Sequence, residues 1–189
     1  MLDEKQCLQE ITQGSEVALE RLYNHYSDRV YNTLIGYTKS SEDAEELLQD
    51  VFVTIFNTAT SFEFNSSVST WIYRIAVNKS LDFLRKKKAK KRFGVFTSLY
   101  VKDSAEIKHE STEFVHPGVE LENQEDAKLL FGAIEKLAES QKTAYLLTQV
   151  EGLSQKEVAA IMDKTPKSVE SLVKRAKDNL KKELERFFP

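Results

Sequence analysis

Apolar residues recur three and four positions apart along most of this chain and almost nowhere alternate strictly, so the pattern predicts helices and no sheet. Ala18, Leu19, Leu22, Tyr26, Val30 and Leu34 form one stripe behind Ser15, a residue type that caps helix N-termini. Ser41 opens a second helix, with Ala44, Leu47, Leu48, Val51, Phe52, Ile55 and Phe56 on one face. Residues 60–70, TSFEFNSSVST, break the period and are rich in Ser and Thr, which predicts a loop. A long helix follows from Val68 through a lysine run, buried through Val68, Trp71, Ile72, Ile75 and Leu84. These elements suffice for one helical domain over residues 1–92.

Residues 93–124 lose the helical period, carry the turn signal His116-Pro117-Gly118 and are dominated by acids. A segment of that length without an element of its own reads as a linker between domains. Residues 125–189 then form a second domain. One helix runs from Asp126 with Ala127, Leu130, Phe131 and Ile134 inward; another, behind Ser140 as cap, carries Ala144, Leu147 and Val150 and stops at Gly152. The expected fold class is all-α: two small helical domains joined by an acidic linker.

The last two helices are the most informative. Ser154 with Glu157 three residues on is a capping box, opening a helix with Val158, Ala159, Ile161 and Met162 on its apolar side. Thr165-Pro166 is a second start signal, a hydroxyl cap followed by a proline suited to the first helical position. Val169, Leu172, Val173, Ala176 and Leu180 give the next helix its stripe, and between Lys167 and Lys182 six Lys/Arg face only two acids. Two short helices with the second this basic are either a solvated hairpin or a helix-turn-helix that fills a DNA major groove.

Charge sharpens the choice. The 189-residue chain has a net charge of −3, which argues against indiscriminate binding to nucleic acid, but the charge is segregated. Residues 42–50 hold five acids and no base, residues 85–92 seven bases and no acid, and residues 101–126 eight acids against two lysines. Each block is a solvated face or a partner surface. Along the long helix Arg74, Asn78, Asp82 and Arg85 line one side, a row able to read base edges while the following lysines hold phosphates. Phe62, Phe64 and Tyr73 are candidates for stacking on unpaired bases; Trp71 shares the apolar stripe and belongs to the core.

Other classes are weakly supported. The six Gly and three Pro are too few for a turn-rich β architecture, and no apolar run approaches the roughly 18 residues of a membrane span. The polar N-terminus is unlike a secretory signal and the single cysteine, Cys7, has no internal partner, so a cytoplasmic chain is expected. His25, His109 and His116 lie far apart, and there is no phosphate loop or nucleophile elbow, so neither catalysis, a metal nor a cofactor is expected.

With these pieces in order, the chain resembles the extracytoplasmic-function (ECF) sigma factors of the bacterial sigma-70 family. DAEELLQDVF (43–52) is similar to the family's polymerase-docking helix, and FNSSVSTWIYRIAVNKSLDFLR (64–85) to its −10-reading segment. EGLSQKEVAAIMDKTPKSVESLVKRAKDNL (151–180) resembles its −35-reading helix-turn-helix. The resemblance implies a subunit that binds core RNA polymerase, recognises −35 and −10 promoter DNA, melts the −10 region and starts transcription of a specific regulon. It also implies an anti-sigma partner, and residence in the cytoplasm, with the nucleoid when active.

Carried over residue by residue, docking falls to Glu42, Asp43, Glu46, Gln49 and Asp50. The −10 set comprises the loop residues Phe62, Phe64, Asn65 and Ser66, with Tyr73, Arg74, Asn78, Asp82, Arg85, Lys86, Lys87 and Lys88 on the helix. The −35 set is Thr165, Lys167, Ser168, Glu170, Ser171, Lys174, Arg175 and Lys177. Glu170 stands where many members have a basic or neutral residue, Leu172 at a frequent arginine position, Asp163 at a turn glycine and Ala138 at a common proline. The acidic linker is implied either to thread toward the polymerase RNA channel or to act as a tether. A conventional helix-turn-helix regulator, with its first domain for dimerisation or ligand sensing, remains the rival reading. It needs neither the acidic docking face nor the −10-like helix.

Overall fold

A computed structural model describes residues 2–100 and 124–185, with side chains described for 2–90 and 129–185. The described residues are helical: α1 (Glu4–Thr12), α2 (Glu16–Thr38), α3 (Ser41–Thr58), α4 (Val68–Tyr100), α5 (Gln124–Glu135), α6 (Glu139–Tyr145), α7 (Gln155–Met162) and α8 (Pro166–Leu184). A 3₁₀ turn, Ala59–Ser61, follows α3, and a π-helical turn, Leu146–Val150, extends α6.

The helix starts follow local chemistry. Asp3, Ser15 and Ser40 each accept a backbone N–H of the first turn, from Gln6, Ala18 and Asp43. The cap of α3 is therefore Ser40, and Ser41 is its first helical residue. Ser140 is not the cap: α6 begins at Glu139 behind Ala138, whose methyl group cannot accept a hydrogen bond. The acidic linker expected over 93–124 lies mostly outside the described residues, but α4 runs past 92 to Tyr100. The early helix α1 adds Cys7, Leu8 and Ile11 to the core, and its Glu4 carboxylate accepts the Tyr26 hydroxyl.

α1 to α4 enclose the first core, built on Leu22, Val30, Leu34, Val51, Ile55 and Ile72. Burial of each such side chain contributes about 1.5–3 kcal/mol. The second half has cores of its own, but α2 and α4 enter them. Tyr73 and Val77 of α4 pack with Leu147, Val158 and Val169, and Tyr37 of α2 packs with Ile134 and Leu146. A Cβ at Gly36 would lie 3.1 Å from Leu146 Cδ2, so a residue without one lets α2 and the π-helical turn touch. The two halves thus pack directly on each other.

Candidate nucleic-acid and protein interfaces

α8 earns its position from its two faces. The Thr165 hydroxyl accepts Ser168 N–H at 3.2 Å and Pro166 supplies the first helical residue. Val169, Leu172, Val173, Ala176 and Leu180 are buried against α5 to α7. Lys167, Glu170, Lys174, Arg175 and Lys177 therefore face solvent, with Ser168 and Ser171 half-buried at their edge. Ser171 donates to the Lys167 carbonyl at 3.0 Å. The turn into α8 is made by Asp163 in the left-handed region (φ 53), which Asp tolerates better than most residues. Ser154 and Glu157 form both bonds of the capping box on α7. Leu172, at the position of a frequent arginine, is buried and serves the core of the helix pair.

The row on α4 is placed differently. Arg74, Asn78, Asp82 and Arg85 are exposed residues on one side of the helix, but two of them reach into the second half. Arg74 donates to the Ala160 carbonyl of α7 at 2.6 Å. Arg85 donates to Asp82 at 2.9 Å and lies 3.6 Å from Glu139 of α6. Arg74 and Asn78 line a cleft of about 540 Å³ whose far wall is Glu139, Ser140, Thr143, Met162 and Asp163. Tyr73 is completely buried, its hydroxyl 3.4 Å from Glu151. In this arrangement it cannot touch a base.

Phe62 is also buried, stacked at 4.9 Å against Trp71, while Phe64 makes an edge contact with Phe62 and remains 39% exposed. Phe64 has φ 56, a conformation that costs a bulky residue on the order of 1–3 kcal/mol. Beside it Asn65 donates to Glu63 at 3.0 Å, and Ser67 caps α4 by accepting Thr70 N–H at 3.0 Å. Asn65 is exposed and Ser66 half-buried.

On α3, Glu42, Glu46, Gln49 and Asp50 are exposed and Asp43 is half-buried. Lys87 donates to Asp43 at 3.2 Å and Lys79 lies 3.7 Å from Asp50, so α3 acids and α4 bases meet in one groove of about 560 Å³. Lys86 lines that groove, and Lys88 is exposed one residue beyond Lys87. Sequence reasoning missed Val53, which is 58% exposed one turn beyond Gln49, and Tyr23, 38% exposed with its ring edge on Phe52. The signal for Val53 was the run Val51-Phe52-Val53, since one helix face cannot bury three consecutive residues.

The seam between the halves was equally invisible in sequence. Tyr37 donates to Thr143 at 2.8 Å in a buried site, and Lys142 is buried with its amine over the Tyr37 ring at 5.1 Å. Burial pushes the Lys142 amine down to about 8 and the Glu151 carboxyl up to about 7. Glu151 Oε1 is buried with no hydrogen-bond partner. Among the described residues no group of His, Cys, Asp and Glu could hold a metal ion, and no helix is long and apolar enough to cross a membrane.

Comparison with known proteins adds sequence and fold evidence. Residues 22–90 match the profile of Sigma-70 region 2, and residues 128–180 that of Sigma-70, region 4. The ECF RNA polymerase sigma-E factor of Haemophilus influenzae is 27% identical over 186 residues, spanning 97% of this chain and 96% of that one. The ECF RNA polymerase sigma factor SigW of Bacillus subtilis is 26% identical over 193 residues, spanning 95% and 96%. CnrH, solved with the cytosolic domain of CnrY, shares the fold at a TM-score of 0.71 with 18% identity over 97% of each chain. RpoE of Bartonella quintana, solved with the anti-sigma factor NepR, does so at 0.66 with 22% identity over 88% of this chain and 96% of that one.

Proposed function

This chain belongs to the ECF class of the sigma-70 family, an RNA polymerase sigma factor, and from that premise we propose how its surfaces divide the work at a promoter. The exposed side of α3, through Glu42, Asp43, Glu46, Gln49 and Asp50, docks on a basic surface of core polymerase. The α8 face, through Ser171, Lys174 and Arg175, enters the major groove of the −35 element, with Thr165, Lys167, Ser168 and Lys177 near the backbone. Glu170 accepts from a cytosine amino group, the base-edge donor that suits a carboxylate.

The α4 row reads the upstream edge of the −10 element. Arg74, Asn78, Asp82 and Arg85 face bases, and Lys86, Lys87 and Lys88 hold phosphates, so the lysines set salt dependence more than sequence. The loop 62–66 receives a base flipped from the non-template strand, with Phe64 as its stacking platform and Phe62 and Trp71 as the rigid floor beneath it. Stacking of about 1–3 kcal/mol offsets the few kcal/mol that unstacking costs. A factor of this kind is a subunit that directs catalysis by another enzyme.

The observation that supports this division most strongly is the free basic face of α8, presented by a capped and buried helix-turn-helix. It serves a specific set of promoters in the cytoplasm. An anti-sigma factor that covers the DNA-reading faces is proposed as a further partner, in keeping with the NepR-bound relative. Selection of active promoters from a randomised library with core polymerase tests the assignment. Lys174→Ala with Arg175→Ala should change the recovered −35 sequence and leave the −10 sequence intact; unchanged −35 selection overturns the role given to α8.

A further inference from the structure

The loop ahead of α4 carries a carboxylate where a surface that only holds phosphates would carry a cation. Glu63 and Asn65 flank Phe64, the residue given the stacking role, and both are exposed. Asn65 Nδ2 donates to Glu63 Oε2 at 3.0 Å, so the two side chains meet. A carboxylate has no proton to give, so the amide must turn its NH2 toward Glu63 and its carbonyl oxygen away. The pair therefore presents acceptors: Glu63 Oε1, the remaining lone pair of Oε2 and Asn65 Oδ1. The nearby hydroxyls are engaged within the loop, Ser66 on the Ser67 carbonyl at 3.4 Å and Ser67 with Thr70 at 2.8 Å. Phe64 supplies a ring 39% exposed, backed by Phe62, whose own ring lies 4.9 Å from both Phe64 and Trp71.

We propose that Glu63 selects guanine as the base that this loop takes from the non-template strand, with Asn65 as a positioning residue that holds the carboxylate. The proposal rests on the base-capture reading of the loop and names the base.

A base that has left the stack offers its Watson–Crick edge to the protein. Guanine alone presents two adjacent donors there, N1–H and the N2 amino group, which match the two oxygens of one carboxylate. Adenine and cytosine each set one amino donor beside a ring-nitrogen acceptor, which would face the second oxygen with no proton between them. Thymine sets its one N–H between two carbonyls, so both flanks repel Glu63. An acceptor left facing an acceptor costs the wrong base its binding, which is how a polar site discriminates. Glu63 adds nothing to phosphate binding, so its effect falls on base choice.

The full chain with core polymerase tests this on a promoter recovered by selection, each −10 position of the non-template strand being set to each base in turn. Open-complex formation should show one position at which guanine exceeds thymine by about tenfold or more, the discrimination of a bidentate pair. Inosine there keeps N1–H but lacks the amino group, and should fall about fivefold or more below guanine. Glu63→Gln offers one acceptor and one donor, the complement of adenine or cytosine, and should move the preference at that position to those bases. A gained preference of this kind cannot come from misfolding. Asn65→Ala should narrow the guanine preference at that position and leave the other −10 positions native.

Guanine preference retained by the Glu63→Gln protein, or no position at which guanine leads thymine, overturns the proposal while the sigma reading stands. Failure of the unsubstituted chain to form an open complex on any template overturns the sigma reading itself.

Discussion

The hydroxyl of Tyr37 donates to Thr143 Oγ1 at 2.8 Å inside a buried site, tying α2 to α6 across 106 positions of sequence. Thr143 in turn donates to the Glu139 carbonyl at 2.9 Å, so its own proton is placed without Tyr37. The two ends of the bond are therefore unequal.

Removing them separately should show it. Tyr37→Phe leaves Thr143 with its own partner and should cost about 0.5–1.5 kcal/mol. Thr143→Val strands the buried Tyr37 hydroxyl and should cost more, about 1–3 kcal/mol. Denaturant unfolding of both variants checks the order; the reverse order would mean that Tyr37 finds another acceptor.

Glu151 makes the seam sensitive to pH. Burial raises its carboxyl from an ordinary 4.5 to about 7, against the opposing pull of Thr33, Arg29 and Tyr73. A raised value means that protonation favours the packed form. The contribution is full below 4.5, fades as pH rises, and is lost through about 7. Lys142, lowered by burial from 10.5 to about 8, acts at the other end: its contribution is present above 10.5 and lost as pH falls through about 8. Glu151→Gln should flatten the acid-side dependence of the thermal midpoint and make the protein more stable than native above about pH 7, with little difference below 4.5. Parallel pH profiles for the two proteins would remove Glu151 from this role.

The proposed docking face separates from stability. Glu46, Gln49 and Asp50 are exposed, and the Asp50–Lys79 pair at 3.7 Å is of a kind worth about 0–1 kcal/mol. Replacing all three with alanine should weaken binding to core polymerase by about tenfold or more, roughly 1.4 kcal/mol, while the thermal midpoint stays near native. Titration of labelled polymerase, beside a melting curve, measures both. Unchanged polymerase affinity would place docking elsewhere on the molecule.

Local chemistry was legible in the sequence; long-range pairing was not. The capping box of Ser154 and Glu157, the Thr165-Pro166 start and the Ser15 cap each depend on residues a few positions apart, and each forms as read. Ser140 misled because a hydroxyl near a helix start is a cap only if the backbone turns there, and it turns at Ala138. The helical period placed Trp71 in the first core, where it lies partly buried. It could not tell that Tyr73, one turn before Val77, would be covered by Leu147 and Glu151 from the other half. No periodicity within α4 records which distant element packs on which side. The same holds for Gly36, whose reason for being glycine is Leu146.

Phe64 offers a test in which stability and function move apart. Its φ of 56 suits glycine, so Phe64→Gly should leave the thermal midpoint level or raise it, by up to the 1–3 kcal/mol of strain relieved. The same change removes the proposed stacking ring and should cut open-complex formation about fivefold or more, the equivalent of at least about 1 kcal/mol of stacking. Permanganate footprinting of unpaired thymines reads that step. Native-level melting by the glycine variant would assign the loop a structural part only.

The most direct measurement of the central claim is run-off transcription from a promoter library with purified core polymerase, with and without this chain. Transcripts should appear only when both are present, start downstream of a shared pair of sequence elements, and be lost with the Glu46, Gln49 and Asp50 substitutions. A chain that binds one duplex tightly alone, never co-elutes with core polymerase and yields no transcript would contradict it.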